Sequence, residues 1–197
     1  MSIAKDLAQL GKHIAAQHGW PAAKAFKSYE MTDADRATLS KCAVDLLTVF
    51  PPVPDSSAMM SAALAVHLES RLNAPVQVVA GTLSVEGVPV FGDRQLFDGA
   101  AVFGEPEQAW NGHVWVMVGP YIVDISIFRI AYSAEGPARL SRHVDLVFGP
   151  GKGLYVDLWK RTAQQGLTYE PQYVLGAEEV TNLMGKAYHL IQQARTD

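Results

Sequence analysis

Four short runs in the middle of the chain constrain its fold most: VQVVAGTL (76–83), VPVF (88–91), HVWVMV (113–118) and YIVDISIF (121–128). All are rich in β-branched and aromatic residues, which suit a pleated, half-buried surface, so each is predicted to be a strand. Only Gly119 and Pro120 separate the last two runs, and a connection that short joins strands antiparallel. The flanks read as helices. Ile3, Leu7, Leu10 and Ile14 stand at helical spacing within residues 2–18, and Gly19 with Pro21 closes that run. Thr32 is placed to cap a second helix reaching about Phe50, with Asp33 and Asp35 favourable against its dipole. The prolines of 51-PPVPD-55 stop it, and Asp55, Ser56 or Ser57 can cap a third helix, SAMMSAALAVHLESRL (57–72), apolar enough to be buried. Between 91 and 113 lies a long polar, glycine-containing loop, 92–112. Beyond 129 the pattern predicts a helix over about 138–147, a turn at 149-GPGKG-153, strands near 154–158 and 168–175, and a closing helix from Ala177 to about Arg195. Helices followed by neighbouring strands place the chain in the α+β class with an antiparallel sheet.

A chain of 197 residues suits one domain. Residues 1–50 form its helical N-terminal part, 51–130 its core, and 131–197 its C-terminal strands and helix. A net charge of −4, with Lys and Arg scattered rather than clustered, speaks against a nucleic-acid partner. No apolar stretch approaches the ~20 residues of a membrane span, and the N-terminus has no continuous apolar signal region, so no membrane association and a cytoplasmic location are expected. Cys42 is the only cysteine, which excludes an internal disulfide and a cysteine-based zinc site. It shares an apolar helix face with Leu39, Ala43, Leu46 and Leu47 and is read as a buried, inert thiol. His67 stands mid-helix among Leu64, Val66 and Leu68 and reads as a packed or rim histidine rather than a ligand. His13, His18, His143 and His189 lack metal-ligand spacing, so neither metal nor cofactor is expected. The GPGKG turn lacks the G-x-x-x-x-G-K-[ST] spacing of a phosphate loop.

Chemistry concentrates in 110-WNGHVWVMVGPYIVDIS-126. A two-residue turn at Gly119-Pro120 pairs Val118 with Tyr121, Trp115 with Asp124 and His113 with Ser126. His113 and Asp124 then project from one face as diagonal neighbours, about 7–8 Å apart at the backbone, a gap two side chains can close. A carboxylate so placed fixes the tautomer of an imidazole acting as general base. A structural pair or two rim residues would give the same spacing. However, Asp124 sits in an apolar strand, where an unpaired carboxylate is costly.

The order of these pieces resembles the transglutaminase-like branch of the papain-like thiol-enzyme superfamily. There, a buried helix with the nucleophilic cysteine at its N-terminus precedes a strand, then a histidine strand, then an aspartate strand. The matching pieces are 55-DSSAMMSAALAVHL-68, 76-VQVVAGTL-83, 113-HVWVMV-118 and 121-YIVDIS-126, so the resemblance covers about residues 55–129. It implies a transglutaminase-like core, the nucleophile helix packed on the antiparallel sheet, with additional helices at both ends. It also implies acyl transfer or hydrolysis of an amide or thioester (peptidase, amidase, deamidase or transglutaminase chemistry), with His113 moving the proton and Asp124 orienting it. The nucleophile position falls on Ser57 or Ala58, and neither is cysteine. Three readings stand: an inactivated copy of a cysteine enzyme, a serine nucleophile at Ser57 or Ser56, or a pseudoenzyme that binds a peptide or protein partner. Ser56, Trp110, Asn111 and Gly112 are candidate substrate-binding residues, Trp110 as an apolar wall and Asn111 or a backbone amide as an oxyanion donor.

Overall fold

The computed structural model describes residues 3–53, 56–93, 98–104 and 110–196. The first helix, α1 (Ile3–Ser28), is broken at Gly19, whose φ of 83° and ψ of 166° are non-helical. The stop read from Gly19 and Pro21 is therefore real. The helix resumes at once because proline, lacking an amide donor, is tolerated in a first turn. Leu10 and Ile14 are fully buried, and the side chains of Ile3 and Leu7 lie outside the described residues.

The second helix, α2 (Asp33–Val49), opens with a reciprocal cap: the Asp35 amide donates to Thr32 Oγ1 at 3.2 Å and the Thr32 amide donates to Asp35 Oδ2 at 2.9 Å. The third, α3 (Ser57–Glu69), is buried along most of its length, from Met60 through Ala65 and at Leu68. Its expected cap is absent at Ser56, because that hydroxyl donates instead to the Val53 carbonyl. Ser57 is the first helical residue, and Asp55 lies outside the described residues.

Next come β1 (Val76–Val85), β2 (Val88–Phe91), a short helix α4 (Gly99–Phe103), β3 (His113–Val118) and β4 (Tyr121–Asp124). The last part of the chain holds α5 (Ile127–Ala131), α6 (Ala138–Val147), β5 (Tyr155–Leu158), α7 (Trp159–Thr162), β6 (Leu167–Val174) and α8 (Ala177–Thr196). Inside the loop expected over 92–112, Asp98 caps α4 by accepting from the amides of Ala100 and Ala101. Residues 94–97 and 105–109 of that loop lie outside the described ones.

Every strand pairing is antiparallel, in the order β2-β1-β3-β4-β5, with β6 also on β1. Laid flat, β6 and β5 would stand four strand spacings apart, about 19 Å. Instead, Tyr155 of β5 and Tyr169 of β6 stack with ring centroids 6.2 Å apart, so the sheet curls until its ends meet. Trp159 seals the meeting by donating its indole N–H to the Tyr169 carbonyl at 3.1 Å.

The two faces feed two cores. Val78, Ala80, Val114, Val116 and Val118 pack with α2, α3 and α8. Val79, Leu83, Trp115, Met117, Ile122 and Tyr169 pack inside the curl with Leu10, Ile14 and Phe26 of α1. Cys42 belongs to the first core, fully buried beside Leu39, Ala43 and Leu46. This is a mixed α+β fold on an antiparallel, curled sheet. Among the described residues, no helix is long and apolar enough to cross a membrane.

Candidate functional site

The β3–β4 hairpin keeps the register its turn requires, with Val118 opposite Tyr121 and Val116 opposite Val123. Gly119 has a φ of 53°, which glycine tolerates as the first central residue of the tight turn. His113 opens β3 opposite Gly81 of β1, where an added Cβ would lie 2.1 Å from the Glu170 carbonyl oxygen. Only glycine lets β6 approach β1 so closely there.

The strand expected over 121–128 stops at Asp124, and the carboxylate itself is the reason. Its Oδ1 accepts from the Ser126 amide, the Ser126 hydroxyl and the Ile127 amide, each at 3.0 Å. Those bonds satisfy the amides that open α5, so the chain turns into a helix rather than continuing the ladder.

The other carboxylate oxygen, Oδ2, meets His113 Nε2 at 2.6 Å and accepts from the Tyr169 hydroxyl at 3.0 Å. His113 is 1% exposed and Asp124 0%. Burial alone would push the Asp124 carboxyl up. The His113 charge and hydrogen bond, with those from Ser126 and Tyr169, outweigh it and hold the carboxyl below its usual range. Burial, and next to it the Asp124 charge, pushes the Tyr169 phenol well above its ordinary value, so it stays a donor. The His113 ring stacks on Phe91 (5.4 Å between centroids) and Trp115 (6.2 Å). Among the described residues, its Nδ1 forms no hydrogen bond.

The start of α3 lies at the same end of the sheet. Ser61 donates its hydroxyl to the Val114 carbonyl at 3.0 Å, while the chain leaves the other end of α3 to enter β1 at Val76, opposite Val118. The first turn of α3, with half-buried Ser57 and Ala58, therefore lies toward the His113 end of β3 but on the other face of the sheet: Ala58 and Met60 pack with Val114 and Val116, whereas the His113 ring lies among Phe91, Trp115 and Tyr169 inside the curl. The Ser56 hydroxyl is engaged with Val53 and with Met60 Sδ, and among the described residues no hydrogen bond joins residues 56–58 to His113. Trp110 packs on the α3 side, edge-on to Phe103 at 5.6 Å. Its indole folds over Gly112, where a Cβ would lie 1.9 Å from the ring. Asn111 is exposed, and its carbonyl accepts from the Gly92 amide at 2.9 Å.

Phe103 also stacks on Tyr173, which lines a cleft of about 610 Å³ with Gln17, Ala100, Gly104, Glu178 and Asn182. An aromatic row thus runs from Trp110 to this cleft, and His113 is not part of its lining. Among the described residues, no group of three or more His, Cys, Asp or Glu is arranged to hold a metal.

Sequence reasoning missed Ser126, Tyr169 and Phe91. The Asp124-x-Ser126 spacing is a local signal for the first, since an aspartate readily accepts from the amides that follow it. Tyr169, forty-five positions from Asp124, carries no local signal. Comparisons with family models, curated proteins and solved structures found no match to this chain.

Proposed function

We propose that this chain is a transglutaminase-like acyl-transfer scaffold that keeps the acid–base half of the site, lacks the thiol, and binds a peptide or protein segment without turning it over. One observation carries the reading: a buried His113–Asp124 pair bonded at 2.6 Å, the imidazole–carboxylate unit of an acyl-transfer site. In an acyl-transfer site, a carboxylate orients the imidazole through one nitrogen and leaves the other for the nucleophile; here the start of α3 lies on the opposite face of the sheet from the His113 ring, which favours a binder over a working enzyme. Ser57 and Ala58 occupy that start, and the single thiol, Cys42, is buried on α2, where Arg71 donates to its sulfur at 3.2 Å. A hydroxyl is much harder to deprotonate than a thiol, so the same base generates far less nucleophile. The Tyr173 cleft supports the binding half of the reading, with half-buried Trp110 and Tyr173 bridged by the buried Phe103 ring.

The test uses p-nitrophenyl acetate with intact-mass detection of acyl adducts. The natural chain is expected to form no adduct on residues 56–58, and Ser57→Cys or Ala58→Cys to form one that disappears when His113→Asn is added. An adduct on Ser56 or Ser57 of the natural chain would replace the binder with a serine enzyme. Cysteine variants whose acylation ignores His113 would remove the acid–base reading.

A further inference from the structure

We infer that Tyr169 is a positioning residue of the His113–Asp124 pair, acting through Asp124 Oδ2 to set how strongly the carboxylate holds the imidazole N–H; this rests on the acid–base reading of the pair only for its consequence at residue 57. The Asp124 carboxylate is saturated. Oδ1 takes three donors from Ser126 and Ile127, and Oδ2 takes His113 and Tyr169, against about four lone-pair sites on an ionised carboxylate. The three bonds on Oδ1 fix the plane of the group, so Oδ2 cannot turn away from either partner. Tyr169 and His113 therefore compete for the same negative oxygen, and donation from the phenol withdraws density that would otherwise go to the imidazole.

The reach of Tyr169 makes this coupling specific to the curl. On a flat sheet β6 and β4 stand three strand spacings apart, about 14 Å, too far for a phenol and a carboxylate to meet. Curling brings the hydroxyl to 3.0 Å, and the ring is held by Trp115 at 5.2 Å, Tyr155 at 6.2 Å and the bond from Trp159 to the Tyr169 carbonyl. The ionisable groups around the phenol are Asp124, His113 and Tyr155, and Tyr155 is itself kept protonated by burial and by the charges of Asp157 and Asp124. No second anion beside Tyr169 competes for its proton among these groups.

The experiment is the imidazole Nε2–H proton resonance of His113 by nitrogen-edited NMR, in the unsubstituted 197-residue chain and in Tyr169→Phe. Removing the phenol leaves His113 as the sole donor on Oδ2, so the resonance is expected to move downfield. An unmoved or upfield resonance in folded Tyr169→Phe overturns the inference. Should Tyr169→Phe fail to fold, site-specific 3-fluorotyrosine at 169 keeps the shape and strengthens the donor. An upfield shift then supports the coupling, and no shift refutes it. In Ser57→Cys, adding Tyr169→Phe should also move the iodoacetamide labelling profile of residue 57 to lower pH, since a more basic carboxylate stabilises the thiolate–imidazolium pair. A moved resonance with labelling that never depends on His113 defeats the acid–base reading and leaves the coupling standing; His113-dependent labelling with an unmoved resonance does the reverse.

Discussion

Asp124 has no solvent contact, yet its carboxyl is held below the ordinary range because the His113 charge and the hydrogen bonds from His113, Ser126 and Tyr169 outweigh burial. A buried charge so dressed is costly to disturb. Asp124→Asn keeps the shape and mismatches the donors of Ser126, Ile127, Tyr169 and His113, with an expected loss on the order of 3 kcal/mol in urea unfolding near neutral pH. The folded carboxyl titrates below the unfolded one, so its contribution to stability is complete above about pH 4 and fades as pH falls through the folded value. The stability gap between the natural chain and Asp124→Asn should therefore be level above about pH 5 and narrow in acid. A gap that stays constant down to pH 2 would show that the carboxyl is not depressed. At this scale the pair was legible in the sequence, because a Gly-Pro turn fixes register and register fixes which side chains share a face. Tyr169 was not legible, since no periodicity within β6 encodes a contact made by curling the whole sheet.

Elements were legible where a local signal decides them and obscure where a side chain or a close approach overrides it. The Thr32 cap with Asp35, the prolines after Phe50 and the strand composition of 76–85 and 113–118 each act within a few residues. By contrast, β-branched Ile125 and Ile127 favour a strand, and the Asp124 carboxylate converts that stretch into the entry to α5. The break at Gly19 was visible, while the restart after Pro21 depends on burying Ala23 and Phe26 against the sheet. Gly81 is a prediction of the same kind, because its lack of a side chain permits β6 to cross β1 beside His113. Gly81→Ala must push the Glu170 carbonyl away, at a cost of about 3 kcal/mol. Amide exchange should accelerate selectively across 79–85 and 167–174. Unchanged protection there would mean that the β1–β6 pairing tolerates the methyl group.

Across the whole molecule, the curled sheet depends on clasps far apart in sequence. Arg129 of α5 donates to the carbonyls of Leu47, Phe50 and Pro51, closing the exposed end of α2 and tying the turn after Asp124 to the segment that leads to α3. Arg129→Met keeps the apolar stem and loses those donors, with an expected cost of about 2 kcal/mol and a Tm lower by about 4–8 °C by calorimetry. An unchanged Tm would mean that water replaces the guanidinium without penalty. The same connection sets the distance between the Asp124 turn and the first turn of α3, and so the geometry on which the functional reading stands. The most direct test of that reading is the pH dependence of iodoacetamide alkylation at residue 57 in Ser57→Cys, compared with Ser57→Cys combined with His113→Asn. A helix start favours the thiolate and an imidazole within its reach adds to it, so on this reading the first protein should react well below the ordinary thiol pKa of about 8.5, and the second should lose that advantage. Two coincident profiles, both rising only near that ordinary value, would contradict the assignment of His113 and Asp124 as the acid–base half of an acyl-transfer site.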